Sequence, residues 1–210
     1  MIRLFLALCK YFQMTNKNDD YLTCQSYSEN ILLDKLPCAY PDCPSTGNYT
    51  SAGSYRRNLV CYTDGKVAEH AIPISRVECG SDRHTHALLP PVIVPRSPFS
   101  FHFVISLLYD FITHKYDNVA SLCSHYDISI STLYRIRQRF IEDKKLMLGI
   151  MNDAITSAEA FLHDFLFGGM ADADRELQAY FEMLGTSFLQ ARSRILQKQL
   201  VTDSKPAVPT

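Results

Sequence analysis

Residues 125–140 read HYDISISTLYRIRQRF, and this stretch decides the helical half of the fold. Its apolar residues Leu133, Ile136 and Phe140 are spaced by three and four positions, which places them on one side of a helix. Asp127 precedes them, and aspartate tolerates the left-handed backbone conformation of a sharp turn better than most residues. The pattern therefore predicts a short helix, a tight turn and a second helix with a buried apolar stripe.

The outward side of this second helix is predicted to be polar and basic. No acidic residue lies between Ile128 and Ile141, although the net charge of the whole chain is −1. Either Ser129 or Ser131 can cap the helix start. Hydroxyls near a helix start and arginines further along suit the base edges and phosphates of a DNA major groove. In the helix 130–144, the predicted DNA-contacting residues are Ser131, Thr132, Tyr134, Arg135 and Arg139.

Two groups of potential metal ligands flank a predicted β-hairpin. Cys38 and Cys43 form the first group, and the second is CGSDRHTH, which begins at Cys79. The dipeptide Asp64-Gly65 between them is a strong hairpin signal. Two such loops supply the four ligands of a structural zinc ion in a zinc ribbon. The predicted ligands are Cys38, Cys43 and Cys79, with the fourth left open among Asp82, His84 and, slightly behind them, His86.

Composition is that of an ordinary globular protein, with 210 residues, 47% hydrophobic and 20% charged, enough for one or two small domains. Seven scattered cysteines favour reduced thiols over a disulfide framework, and Cys61 is predicted to be a packed thiol. The start, MIRLFLALCKYF, predicts an amphipathic helix and not a signal peptide, because Lys10 interrupts its apolar run. No run approaches the roughly 18 apolar residues that cross a bilayer, so we expect a cytoplasmic protein with no membrane contact.

Changes in residue pattern along the chain predict an α+β fold. Seven of the ten prolines lie in residues 38–98, where short β-type runs occur, and helical periodicity begins at Phe99. One long helix is predicted over 146–167, followed by two more. The predicted segments are an N-terminal helical segment (1–35), a small β-hairpin zinc-ribbon-like module with an extended linker (36–98), a helix-turn-helix domain (99–146), an acidic helical region (147–200) and a disordered tail (201–210).

The acidic helical region is predicted to face away from DNA. Residues 153–185 hold seven acids against one base, Arg175, and such a surface repels a nucleic acid. Its apolar residues are expected to pack on the helix-turn-helix. A weaker hypothesis is that they pack against a second copy of the chain, as a homodimer, or against a transposase partner.

The order of these modules resembles an uncharacterised bacterial family similar to the DNA-binding front half of insertion-sequence transposases. The segment Ser129 to Arg135 is similar to the serine-rich turn, threonine, aliphatic residue, tyrosine and arginine of their helix-turn-helix. The resemblance spans roughly residues 36–146 and implies a nucleic-acid-binding protein linked to mobile elements. This chain departs from the pattern at Asp127, where a turn glycine is usual, and at Asp82, where a ribbon normally has cysteine.

Catalysis is not predicted. Beyond residue 100 there is no strand pattern to hold the three carboxylates of an RNase-H-like core, and the chain has no phosphate-binding glycine loop or H-E-x-x-H motif. The sequence therefore predicts a non-enzymatic, sequence-dependent DNA-binding protein with a structural zinc ion, acting as a transposase-like targeting module, a regulator or an inactive remnant. The alternative is a protein-interaction adaptor in which the ribbon and the acidic helices are docking surfaces.

Overall fold

A computed structural model of the protein describes residues 2–4, 20–29, 33–35, 38, 43–90, 92–150 and 157–167. These residues form an α+β fold, as predicted, and none of their helices is long and apolar enough to cross a membrane. The elements are β1 (Ile2–Leu4), α1 (Asp20–Glu29), a 3-10 turn (Leu33–Lys35), β2 (Tyr49–Thr63), β3 (Lys66–Cys79), β4 (Thr85–Leu88), α2 (Phe101–Ile112), α3 (Val119–His125), α4 (Ile130–Ile150) and α5 (Ala158–Phe167).

The long hairpin of β2 and β3 turns at Asp64-Gly65, as the sequence predicts. Both residues have positive φ, +51° and +77°, which the type I′ turn requires and which matches the twist of the strands. Pairing runs from Thr63 opposite Lys66 to Tyr49 opposite Cys79, with one irregularity near Gly53. The far end of the hairpin brings Cys79 to the first cysteine group.

The sheet has the order β1-β4-β3-β2, with β4 antiparallel to β3 and β1 parallel to β4. The predicted N-terminal helix is therefore wrong at residues 2–4, where Ile2 pairs with His86 and Leu4 with Leu88. A short apolar run does not distinguish a strand from a helix by its periodicity. Pairing with the edge of β4 decides for the strand, because it satisfies backbone groups that an edge leaves open.

One hydrophobic core joins the sheet to the helices through the segment predicted as an extended linker. Leu89, Ile93 and Val94 of that segment are buried. The backbone is not extended throughout, because the Ile93 N–H donates to the Pro90 carbonyl and the Ser97 N–H to the Val94 carbonyl, which closes two turns. The same core includes Leu59, Ile72 and Ile74 of the sheet, Ile105 and Leu108 of α2, Phe140 of α4 and Leu162 of α5. The orientation of α2 and α4 relative to the hairpin therefore follows from shared packing.

A buried pair connects α1 to the start of α2. The Asp20 carboxylate accepts a hydrogen bond from the His102 backbone N–H at 3.0 Å, and its other oxygen lies 2.6 Å from the His102 Nδ1. Ser100 caps the helix by accepting from the Phe103 N–H. A carboxylate is favourable at this end because the unpaired N–H groups of a helix start carry partial positive charge.

The C-terminal part begins differently from the prediction. The single helix over 146–167 is wrong, because Ser157 is not helical and instead caps α5 through the Ala160 N–H at 3.1 Å. Helical periodicity alone does not reveal such a capping residue. The ring of Tyr109 in α2 contacts His163 and Phe167, so α5 packs on α2. The helices predicted at 172–183 and 187–200, and the tail, lie outside the described residues.

Candidate functional site: a metal-ligand cluster and a basic helix

Four potential metal ligands, Cys38, Cys43, Cys79 and Asp82, meet at one end of the hairpin. Their ligand atoms all lie within 4.8 Å of one another. The Cys43 and Cys79 Sγ atoms are 3.9 Å apart, and the Cys38 thiol donates to Asp82 Oδ2 at 3.2 Å. Two sulfurs bound tetrahedrally to one zinc at about 2.3 Å would be about 3.8 Å apart. The four groups can therefore hold one metal ion with little movement.

Backbone hydrogen bonds shape both ligand loops. In the first, the Cys38 N–H donates to the Ser45 carbonyl at 2.8 Å. In the second, the Cys79 N–H donates to the His84 carbonyl and its own carbonyl accepts from Arg83, which has a φ of +60°. Gly80 lies against Asn48, where an added Cβ would come within 2.6 Å of the side-chain oxygen. The absence of a side chain at Gly80 allows its N–H to donate to the Asn48 carbonyl at 2.8 Å.

The loops also set the charge of the cluster. Burial raises the pKa of the Cys79 thiol, but hydrogen bonds from the Asp82 and Ser81 N–H groups and with the side chains of Cys38 and Cys43 together lower it below its usual value. The Ser45 N–H lowers the pKa of Cys43, but burial and the neighbouring Cys79 outweigh it and the net pKa is raised. The His84 N–H lowers the pKa of Asp82 to about 2. Asp82 therefore carries a negative charge and the Cys79 thiol ionises more readily than a free thiol, and both effects favour a bound cation.

The structure separates the candidates for the fourth ligand. Asp82 lies in the cluster with the three cysteines. The side chain of His84 is 48% exposed and is not grouped with them, although its Nδ1 is 3.5 Å from Asp82 Oδ1. His86 is fully buried, with its Nε2 3.6 Å from Cys38 Sγ. Cys61 is a buried core thiol, as predicted.

The turn between α3 and α4 is the second feature. Asp127 has a φ of +49°, so it occupies the left-handed conformation that the sequence predicts there. The Ile128 N–H donates to the Cys123 carbonyl at 3.0 Å and the Asp127 N–H to the Ser124 carbonyl at 3.4 Å. This is the Schellman pattern of a helix end, with aspartate where glycine is usual. Ile128 packs on the cluster that contains Cys123.

Hydroxyl groups surround the start of α4. Ser129, one of the two predicted caps, accepts the Thr132 N–H at 3.2 Å. Its Oγ lies 2.9 Å from the Ser131 Oγ and 2.9 Å from the Thr132 Oγ1. The Arg135 guanidinium donates to the Thr132 Oγ1 at 3.2 Å. Three hydroxyls and one arginine therefore form a connected group on the first turns of α4.

The inward side of α4 is the apolar stripe that the sequence predicts. Leu133 and Phe140 are 0% and 1% exposed, and Ile136 is half-buried. Leu133 packs in a helical cluster with Phe103, Leu107, Leu122, Cys123 and Tyr126. The Tyr126 hydroxyl donates to Asp110 at 2.9 Å, and Lys115 donates to the same carboxylate. These contacts fix α3 and α4 on α2.

The outward side is basic, with one difference from the prediction. Ser131, Tyr134 and Arg135 are exposed and Thr132 is half-buried. Arg139 is half-buried, unlike the exposed Arg135. Its side chain is 34% exposed, donates a hydrogen bond to the Pro95 carbonyl at 3.0 Å and lies 3.6 Å from Asp143. Burial raises the pKa of Asp143 to about 6, although Arg139 lowers it. Arg137 and Arg96 are also exposed, and neither belongs to the predicted DNA-contacting set.

Comparisons of the chain with protein-family models, with curated proteins and with solved structures found no match. The resemblance to the front half of insertion-sequence transposases therefore stays a prediction. The function proposed below rests on the geometry of the metal-ligand cluster and of α4.

Proposed function

We propose that this protein binds double-stranded DNA in a sequence-dependent way, with the N-terminal half of α4 in the major groove. The observation that carries this proposal is the division of α4 into two sides. Leu133 and Phe140 are buried, while Arg135 and Arg137 are exposed on a stretch with no acidic residue between Ile128 and Ile141. Uncompensated arginines held on a fixed helix favour a polyanionic partner.

The major groove suits this helix in size and chemistry. A groove about 12 Å wide admits a helix about 10–12 Å in diameter. The first turns of α4 present the hydroxyls of Ser131 and Thr132 and the guanidinium of Arg135, which reach base edges in helix-turn-helix proteins. The hydrogen bond that Arg135 donates to the Thr132 hydroxyl limits the rotamers of that arginine, which lowers the entropy lost when it binds a guanine. The preceding α3 would cross the DNA backbone.

We propose that the four-ligand cluster binds zinc as a structural ion. Three thiolates and a carboxylate are ligands that zinc accepts, and four protein ligands leave no open position for a substrate. The ion would hold Cys38, Cys43 and the turn after Cys79 together where only short loops meet. A non-catalytic DNA-binding protein of this kind would serve as a targeting module or a regulator, similar to the front half of a transposase.

Selection of bound sequences from random duplex DNA tests the proposal. The wild-type protein is expected to enrich a defined site, and binding should weaken as salt rises because phosphate contacts release counterions. On the enriched site, Arg135→Ala should lose about 1–3 kcal/mol of binding free energy and relax the preference at one base position. Arg83→Ala, an exposed arginine paired with Glu78 at the other feature, is the matched control and should retain the preference.

A parallel selection with a chelator separates the two features. If the metal is structural and distant from the DNA, the chelator lowers the active fraction but leaves the enriched sequence the same. If the wild-type protein and Arg135→Ala bind duplex DNA equally poorly at low salt, the proposal is wrong. The protein would then be better described as an interaction adaptor.

A further inference from the structure

A tight turn from Val94 to Ser97 lies beside α4 and is held by two arginines. The Ser97 N–H donates to the Val94 carbonyl at 3.3 Å and closes the turn. The Arg57 guanidinium in β2 donates to the Val94 carbonyl at 2.8 Å and to the Ser97 carbonyl at 2.5 Å. Arg139 donates to the Pro95 carbonyl at 3.0 Å. Three of the four carbonyls in the turn thus accept hydrogen bonds from guanidinium groups.

The remaining residue of the turn, Arg96, is exposed in a strained conformation. Its φ is +60°, a region that residues with a side chain adopt rarely and at a cost. Within the described part of the chain, its guanidinium makes no hydrogen bond or ion pair. The bonds from Arg57 and Arg139 therefore fix the backbone of the turn from which the exposed Arg96 side chain extends.

Positive charge exceeds negative charge around this turn. Arg57 is directed at backbone carbonyls, Arg96 at solvent, and Arg139 at Pro95 and Asp143. Three guanidinium groups thus lie at or next to the turn, and one of them, that of Arg139, is paired with the Asp143 carboxylate. Arg57 is partly buried and has backbone carbonyls in place of a counter-charge, so an anion bound near the turn would add a favourable charge interaction.

The turn also lies where a DNA backbone would pass. Arg139, which contacts Pro95, follows Arg135 by one helical turn, or about 6 Å along α4. Pro95, and with it the turn that carries Arg96, therefore lies next to α4 about one helical turn beyond Arg135. A helix in the major groove has a phosphate backbone on each side, and contacts to that backbone fix its register without reading sequence.

We propose that the Val94–Ser97 turn is a phosphate-binding site for the DNA backbone, in which Arg96 contacts a phosphate and Arg57 and Arg139 position it. This inference rests on the proposed function. It extends that function from base contacts on α4 to a second element from a distant part of the sequence.

The test is a salt series with the full-length protein on two duplexes, the enriched site and a scrambled version of it. Arg96→Gln should weaken binding to both duplexes by the same factor. The slope of log affinity against log salt should become shallower by about 0.9, the value for one lost phosphate contact. Arg135→Ala, in contrast, should weaken the enriched duplex more than the scrambled one.

Two further variants control for loss of folding and for a general loss of positive charge. Arg96→Gly removes the charge and places at +60° the residue that adopts this conformation most readily, so the turn is retained and the slope should fall equally. Arg56→Gln removes an exposed arginine from the strand position next to Arg57, which faces the opposite side of the sheet. This control should leave the slope unchanged.

The outcomes distinguish this inference from the proposed function. An unchanged slope in both Arg96 variants, with base preference still relaxed by Arg135→Ala, overturns the inference and leaves the proposed function standing. A loss confined to the enriched duplex also overturns it, because Arg96 would then read a base. Absence of duplex binding by the wild-type protein overturns both.

Discussion

The metal-ligand cluster and the α3–α4 segment differ in how far apart along the chain their parts lie. Cys38 and Asp82 are separated by 44 positions and meet only because β2 and β3 pair along their full length. The turn of the α3–α4 segment, in contrast, is formed by hydrogen bonds between residues at most five positions apart, such as Ile128 to Cys123. The cluster therefore depends on the whole sheet, whereas the segment depends on local caps and a helical core.

This difference means that the two features should fail separately. Loss of a ligand should release the metal without changing the turn at Asp127. Loss of an apolar side chain of α4 should destabilise the helices without changing the metal content. The following predictions test that separation.

The largest effect is expected from Cys79→Ser. Loss of an outer-shell partner typically reduces metal affinity about 10–100-fold. Loss of a ligand itself should reduce it further. Bound zinc, measured by elemental analysis after dialysis, should fall from one per chain to near zero, and the melting temperature should no longer respond to a chelator. Cys61→Ala, at a buried thiol outside the cluster, should keep its zinc. Equal zinc loss in both variants would contradict the assignment of the ligands.

Leu133→Ala and Tyr134→Ala compare the two sides of α4 at adjacent positions. Leu133 is fully buried, so its truncation should lower the free energy of unfolding by about 2–5 kcal/mol. Tyr134 is 48% exposed and makes an edge contact with Phe111, so its truncation should cost about 1 kcal/mol or less. Denaturant titration measures both, and zinc content should stay the same. A larger loss at Tyr134 would mean that α4 is rotated.

A smaller effect is expected from the pH dependence of Asp143. Its pKa is about 6 in the folded protein because burial disfavours the charge, and lower in the unfolded chain. The folded state therefore binds more protons between pH 4 and 6, and the free energy of unfolding falls as pH rises through this range. The contribution is on the order of 1–3 kcal/mol.

Asp143→Asn should remove this fall, so the difference in unfolding free energy between variant and wild type should change between pH 4 and pH 7. Glu142→Gln removes an exposed carboxyl from the same turn and is the matched control. Parallel pH curves for Asp143→Asn and the wild type would show that burial does not raise this pKa.

The sequence predicts those features whose residues lie close together along the chain. The turn at Asp127 and the burial of Leu133 and Phe140 follow from periodicity and turn chemistry within 16 residues, and the structure confirms them. The hairpin at Asp64-Gly65 is predicted for the same reason. These features need no knowledge of the rest of the fold.

The parts that the sequence does not predict depend on distant contacts. Spacing identifies the three cysteines, but the choice among Asp82, His84 and His86 depends on the backbone path through Arg83. Arg139 contacts Pro95 across 44 positions, so the sequence does not show that this arginine is half-buried. The strand β1 forms because it can pair with the edge of β4, and no local sequence pattern indicates this pairing.

The most direct test of the central claim is photo-crosslinking from the first turn of α4 to DNA. A photoreactive benzoylphenylalanine is placed at Ser131 or, as the control, at Glu69, an exposed residue of β3 in the hairpin. If α4 enters the major groove, crosslinks form from position 131 to bases within the enriched site and none form from position 69. Crosslinks from position 69 alone, with DNA still bound, would contradict the claim that α4 enters the major groove.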